Sequence, residues 1–129
     1  MENQHTEVFA RDDREIARAR RVVTNALRSW GVDAEVPMLV LLASELVTNA
    51  LVYGTGPVQV RLASDARHIR LEVIDDDGTP ATPHLVDHQE PGGWGLQLVD
   101  RLADRWGVDE SGGTTLVWAE TLRSTPSQL

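Results

Sequence analysis

Two residue types are missing from this chain of 129 residues, which contains neither cysteine nor lysine. Without cysteine there can be no disulfide, no thiolate nucleophile and no cysteine-ligated zinc site. Without lysine there is no P-loop, and no G-x-x-x-x-G-K-[ST] motif is present. Arginine supplies all 12 basic side chains against 20 acidic ones, and the net charge of −8 argues against nonspecific binding of nucleic acid.

Long apolar runs are also scarce. The longest one, 36–43, is too short to cross a bilayer, and no signal-peptide pattern is present. We therefore expect a soluble cytoplasmic protein that does not enter a membrane. A chain of this length is expected to form a single domain, 1–129, with a real hydrophobic core at about 9–122 and polar tails at 1–8 and 123–129.

Hydrophobic periodicity outlines the secondary structure. Three segments have apolar residues at helical spacing: 13–30, 36–53 and 94–104. Alternation of apolar and polar residues predicts strands in pairs joined by short turns, with a further short strand around 7–9. The paired strands are 58–62, 69–73, 106–108 and 115–119. This order predicts an α+β fold, a two-layer sandwich with helices on one face of a mixed, mostly antiparallel sheet.

The helix at 36–53 carries a narrow polar stripe within an otherwise apolar sequence. Its polar residues are Ser44, Glu45, Thr48 and Asn49. Glu45 and Asn49 stand at positions i and i+4, so they lie on the same edge of the helix. That edge either faces solvent or lines a pocket, because a carboxylate or carboxamide buried without a partner is costly. The helix alone does not decide between the two interpretations.

Two further motifs favour the pocket. The strand at 69–73 runs into Asp75-Asp76-Asp77-Gly78, and its alternation places Asp75 on the core side, where the exocyclic amine of adenine would be a suitable donor. After a long aperiodic loop, Gly92-Gly93-Trp94-Gly95-Leu96 opens a helix. Glycines at a helix N-terminus let the backbone approach a phosphate closely. Alone, each motif also fits an ordinary loop tip or helix start.

Taken together, Glu45-x-x-x-Asn49, the strand ending at Asp75, the long loop and Gly93-x-Gly95-Leu96 resemble the Bergerat-fold (GHKL) ATP-binding domains. The resemblance is to the small anti-sigma-factor serine/threonine kinases of actinobacterial type, and it covers about 9–122. It implies a kinase that transfers the γ-phosphate of ATP to a serine or threonine of a STAS-type antagonist, sequesters a sigma factor, or does both. The alternative is a catalytically silent, nucleotide-dependent protein-binding module.

The resemblance also implies roles for individual residues. Glu45 matches the general base, and Asn49 matches the ligand of Mg²⁺. Asp75 matches the adenine-binding aspartate, although Asp77 stands where the family has glycine; Asp76, with Gly78 at the required spacing, is the alternative. The other expected nucleotide-binding positions are Gly92, Gly93, Trp94, Gly95, Leu96, and Thr114 or Thr115, of which Thr115 is preferred.

The segment 79–91 matches the ATP lid of the family, whose closure would exclude water from the phosphates. The implied cofactors are ATP and Mg²⁺. The implied protein partners are a sigma factor and a STAS-domain anti-sigma-factor antagonist, and analogy with the family suggests a homodimer. Direct contact with nucleic acid or with a membrane is not expected.

Overall fold

The computed structural model describes residues 2–76 and 93–124, without the side chains at 53 and 93–96. Within these residues the elements follow in the order β1 (Asn3–Phe9), α1 (Glu15–Ser29), α2 (Val36–Tyr53), β2 (Thr55–Ser64), β3 (His68–Asp76), α3 (Gly93–Leu102), β4 (Arg105–Ser111) and β5 (Thr114–Leu122). A single 3-10 turn, Asp33–Glu35, leads into α2. The predicted loop at 79–91 lies outside the described residues, as does the end of the C-terminal tail.

The five described strands form one sheet in the order β1-β2-β3-β5-β4, with the helices packed on one face. The predicted α+β architecture is confirmed. The sequence had predicted a mixed, mostly antiparallel sheet. Every pairing among the described strands is antiparallel, so the described part of the sheet contains no parallel pair. Short turns join β2 to β3 and β4 to β5, and such hairpins can only pair antiparallel.

The first strand is longer than the sequence indicated. β1 pairs with β2 from Asn3 opposite Ser64 to Phe9 opposite Val58, so most of the predicted N-terminal tail is an edge strand. Its residues are mostly polar, and no apolar alternation marked them as a strand. An edge strand gains its backbone hydrogen bonds from its neighbour and can carry polar side chains along its length.

Alternate residues of the central strands face the helices and form the core. Ile69, Leu71 and Val73 of β3 are at most 2% exposed. Their neighbours on β2 and α2 are also buried: Val58, Val60, Leu62, Leu39, Leu42, Leu46 and Val47. The intervening residues of β3 face away from the helices, on what we call the outer face of the sheet.

Helix α2 is the central element of the helical layer, because it contacts α1, α3 and the sheet. The segment Asp33–Val52 has a mean hydropathy of 1.5 and would be long and apolar enough to cross a membrane by length and composition. Half of that segment is buried inside the domain, as the core helix of a folded domain would be. Packing on three sides accounts for its apolar composition.

Two arginines near the start of α1 pair with local acids. Arg18 contacts Glu7 at 3.0 Å and Glu15 at 2.8 Å, and Arg14 contacts Asp12 at 2.7 Å. Hydrogen bonds from the side chain and the backbone of Arg14 lower the pKa of Asp12 to about 2. These pairs neutralise part of the positive charge at the start of the helix.

Candidate functional site

Only part of the polar stripe of α2 faces solvent. Asn49 is only 3% exposed, and its Nδ2 has no hydrogen-bond partner among residues 2–76 and 93–124. Leaving a buried donor unsatisfied costs about 1–3 kcal/mol. Ser44, by contrast, is buried and satisfied, because its Oγ accepts a hydrogen bond of 2.6 Å from Nε of Arg20. The unsatisfied amide favours the pocket interpretation.

Glu45, one helical turn before Asn49, is only partly buried. It lines a cleft of about 270 Å³ between α2 and α3, together with Gln97, Leu98 and Arg101. The same helix therefore presents a carboxylate to an open cleft and a carboxamide to the interior. An incoming polar group can reach the carboxylate without disturbing the core.

The two candidate aspartates at the end of β3 differ in burial. Asp75 is 6% exposed and lies on the core side, as the strand alternation predicts, whereas Asp76 is exposed. Asp75 stands in register with Val58 of β2 and with Thr115 of β5, which is 1% exposed. The backbone carbonyl of Asp76 accepts a hydrogen bond of 2.7 Å from the hydroxyl of Thr55. Asp75 and Thr115 thus share the helix side of the sheet.

Gly54 brings the end of α2 against Asp75. A Cβ atom built on Gly54 would lie 1.3 Å from Oδ2 of Asp75, so the carboxylate fills the space of the missing side chain. The Gly54 amide donates to the carbonyl of Ala50 at 2.9 Å and closes the last turn of the helix. Sequence reasoning missed this contact, because a glycine after a helix is also an ordinary stop signal.

Arg11 also holds the last turn of α2, and sequence reasoning missed this contact as well. Its Nη1 donates to the carbonyl of Ala50 at 3.0 Å, and its Nη2 donates to the carbonyl of Leu51. A guanidinium at a helix C-terminus satisfies free carbonyls and complements the helix dipole. Nothing local in the sequence reveals a contact between residues 39 positions apart.

The glycine-rich motif lies at the start of α3, which begins at Gly93. The backbone of Gly93, Trp94, Gly95 and Leu96 forms the first turn of that helix. Helix α3 packs against α2, so the two predicted motifs belong to adjacent elements. Gly78 and Gly92, which the sequence also assigned to the site, lie outside the described residues.

The donor set fits a nucleotide-bound magnesium ion better than a protein-only metal site. No group of three or more His, Cys, Asp or Glu side chains that could hold a metal occurs in the described part of the chain. Mg²⁺ keeps several waters and often takes only one or two protein ligands together with phosphate oxygens. Asn49 carries such an oxygen in its carboxamide. The atom without a partner among the described residues is its nitrogen, a donor that suits an acceptor such as a phosphate oxygen and not the metal ion itself.

Known proteins share this fold. The RsbU and RsbW domains of Rv1364c from Mycobacterium tuberculosis match with a TM-score of 0.75 at 20% identity, over 97% of this chain and 34% of that one. The histidine kinase domain of the blue-light activated histidine kinase from Erythrobacter litoralis EL346 matches with a TM-score of 0.55 at 20% identity, over 84% and 59%. The Acinetobacter baumannii histidine kinase AdeS matches with a TM-score of 0.57 at 13% identity, over 94% and 68%.

At these identities the structural matches establish the fold alone, and the chain spans about a third of the length of the Rv1364c structure. No curated protein matches the chain significantly. Residues 9–120, however, match the model of the histidine kinase-like ATPase domain. That match covers most of the chain and agrees with the Bergerat-type (GHKL) fold predicted from the sequence. The chain therefore belongs to the histidine kinase-like ATPase domain family, and ATP is the nucleotide that this family implies.

Proposed function

We propose that the chain is an ATP-dependent protein serine/threonine kinase of the anti-sigma-factor type. The observation that carries the proposal is the contrast within α2: Asn49 is buried with an unsatisfied amide, whereas Glu45 faces an open cleft. A module that only binds nucleotide needs the first feature but not the second. The sequence resemblance supplies the expected acceptor, a serine or threonine of a STAS-domain antagonist.

In this proposal, the helix side of the sheet holds the nucleotide. Asp75 accepts a hydrogen bond from the exocyclic amine of adenine, and Thr115 lies beside it at the base. Asn49 would hold Mg²⁺ through its carboxamide oxygen, and the bound ion would neutralise charge on the phosphates. The backbone amides of the first turn of α3 would bind a phosphate group, because the N-terminus of a helix favours an anion.

Glu45 acts as the general base. Its carboxylate accepts a hydrogen bond from the acceptor hydroxyl and takes the proton as that oxygen attacks the γ-phosphorus. A bond forms between the acceptor oxygen and phosphorus, the bond to the bridging oxygen breaks, and ADP leaves with the electron pair. The products are a phosphorylated partner, ADP and a protonated Glu45.

Binding of a sigma factor would be the second output of the same domain. We expect a cytoplasmic protein, in keeping with the family resemblance, and a homodimer by analogy. Nucleotide bound between α2, α3 and β3 would change the surface around the cleft, so ATP and ADP would favour different partner complexes.

The test combines the protein, Mg²⁺, ATP labelled at the γ-phosphate and the STAS-domain partner. Glu45→Gln keeps the size of the side chain but removes the base, so we expect at least a 100-fold lower rate of partner labelling with unchanged ATP affinity. Thr48→Ala, at an exposed position of the same helix, is the matched control and should label normally. ATP binding without any labelling by the wild type would favour the catalytically silent module.

A further inference from the structure

We propose that Gly54 is a specificity-determining residue for adenine, because its missing side chain leaves room for the Asp75 carboxylate. This inference rests on the proposed function, in which Asp75 reads the base. Gly54 itself has no side chain that could contact the nucleotide. It acts through Asp75, and it is therefore a positioning residue at the end of α2.

The backbone of Gly54 does not require glycine. Its φ of −93° and ψ of −172° lie in the extended region, which any L-residue adopts. Gly31 and Gly56, by comparison, have φ values of +73° and +72°, where a side chain is disfavoured. The reason for glycine at position 54 is therefore a contact and not a backbone conformation.

That contact is severe. A Cβ atom on Gly54 would lie 1.3 Å from Oδ2 and 2.5 Å from Cγ of Asp75, and 2.9 Å from the backbone oxygen of Ala50. Each of these distances is shorter than a nonbonded contact between carbon and carbon or oxygen. A methyl group at position 54 and the carboxylate in its present orientation cannot coexist.

The neighbouring groups limit how the clash can be relieved. Val58 and Thr115 flank Asp75 in register on both sides, and they are 0% and 1% exposed. The last turn of α2 is held by Arg11 through the carbonyls of Ala50 and Leu51. Rotation of the Asp75 side chain is therefore the least costly way to relieve the two shortest contacts, and it removes the carboxylate from its present position.

The consequence concerns the choice of base. Adenine carries an amine donor where guanine carries a carbonyl acceptor, so a fixed carboxylate favours adenine and repels guanine. A hydrogen bond to a charged group is strong enough for its loss to lower affinity about 10-fold or more. Displacing the carboxylate should therefore weaken ATP binding without weakening the binding of GTP.

The experiment measures dissociation constants for ATP and GTP in the wild type, Gly54→Ala, Asp75→Ala and the double variant. Gly54→Ala should lower ATP affinity about 10- to 100-fold and largely abolish the preference over GTP. The double variant should bind ATP as weakly as Asp75→Ala alone. Its melting temperature should exceed that of Gly54→Ala, because the carboxylate that the methyl group meets is gone.

Gly107→Ala is the matched control. A Cβ there would lie 2.8 Å from the indole nitrogen of Trp118, so it creates a milder clash with a side chain on the outer face of the sheet. It should lower stability but leave the ratio of ATP to GTP affinity intact.

Three results would overturn the inference. Wild-type selectivity in Gly54→Ala would show that the contact is unimportant, and additive losses in the double variant would show an effect transmitted by another route. Wild-type selectivity in Asp75→Ala would remove the proposed adenine contact itself, and with it the role of Gly54. Should Gly54→Ala fail to fold, recovery of folding in the double variant supports the contact, and an unfolded double variant contradicts it.

Discussion

Buried polar groups lie on both sides of the sheet, but their hydrogen bonding differs. On the outer face, Glu120 is 8% exposed and accepts hydrogen bonds from Arg70 and Arg105. Glu72 contacts Arg61 at 3.0 Å and Arg70 at 2.8 Å. On the helix side, the Nδ2 atom of Asn49 has no hydrogen-bond partner in the ranges 2–76 and 93–124.

The difference separates structural groups from groups directed at a ligand. The outer-face ion pairs form a network that also includes Trp118, because the guanidinium of Arg70 lies 4.4 Å from the centre of its ring. Such a network holds β3, β4 and β5 together and leaves little for a ligand to satisfy. Changes on the outer face should therefore cost stability, whereas changes beside Asn49 should cost nucleotide binding.

The strongest effect is expected for Asn49→Ala. Removing the proposed Mg²⁺ ligand should weaken magnesium-dependent ATP binding about 100-fold, whereas the free energy of unfolding should change by less than about 1 kcal/mol. The stability change is small because the variant also removes a buried donor that has no partner. Calorimetric titration with ATP, in the presence of Mg²⁺ and again in EDTA, measures the first quantity, and urea unfolding measures the second.

Thr121→Val provides the control for this comparison. Thr121 is 1% exposed and its hydroxyl also has no hydrogen-bond partner among the described residues. It lies opposite Ile69, at the end of β3 remote from Asp75. The variant should leave ATP affinity unchanged. If it weakened binding as much as Asn49→Ala does, the loss in Asn49→Ala would not be specific to the proposed Mg²⁺ ligand.

An intermediate effect is expected for Glu120→Gln, which breaks the outer-face network. The loss of two charge-assisted hydrogen bonds should lower the free energy of unfolding by about 1–3 kcal/mol at neutral pH, with unchanged ATP affinity. Asp109→Asn, at an exposed position of β4, serves as the control and should have little effect. A fall in ATP affinity in Glu120→Gln would show that the two faces are coupled.

The pH dependence sharpens the same prediction. Burial raises the pKa of Glu120, but hydrogen bonds and charge from Arg105 and Arg70 outweigh it, so the net pKa is lowered from 4.5. A lowered folded-state pKa stabilises the protein above the unfolded value and loses that contribution as pH falls through the folded value. Urea unfolding between pH 7 and pH 3 should therefore show the wild type losing its advantage over Glu120→Gln below about pH 4.5. A constant difference across this range would contradict it.

Local periodicity accounts for the parts of the site that the sequence predicted. The i, i+4 spacing of a helix put Glu45 and Asn49 on one edge, and the alternation of β3 turned Asp75 towards the core. Both rules need only neighbouring residues. The burial of Asn49 relative to Glu45 was not predictable from them, because it depends on how α3 packs against α2.

Contacts between distant residues account for what the sequence did not reveal. Arg11 reaches the carbonyl of Ala50 across 39 positions, and Arg70 reaches Glu120 across 50. Asn3, the first residue of β1, carries a polar side chain, and its pairing is visible only once β2 is in place. Gly54 is a similar case, because its role depends on a carboxylate delivered by another strand.

The smallest effect is expected for Arg61→Ala, which removes the ion pair between Arg61 and Glu72 from the outer-face network. The Arg61 side chain is 46% exposed, and its partner Glu72 keeps the contact with Arg70 at 2.8 Å. An exposed ion pair contributes little, because solvent screens it and both side chains lose conformational freedom. Urea unfolding should therefore show a change below about 0.5 kcal/mol.

The parallel variant Arg70→Ala makes this result informative. Arg70 is only 27% exposed and contacts both Glu72 and Glu120, so its removal leaves two carboxylates short of a partner. It should destabilise the protein more than Arg61→Ala does, since the cost grows with burial and with the number of groups left unsatisfied. Equal losses in the two variants would mean that the network responds as one unit. The contrast between the faces would then rest on cooperativity across the outer face and not on the satisfaction of individual groups.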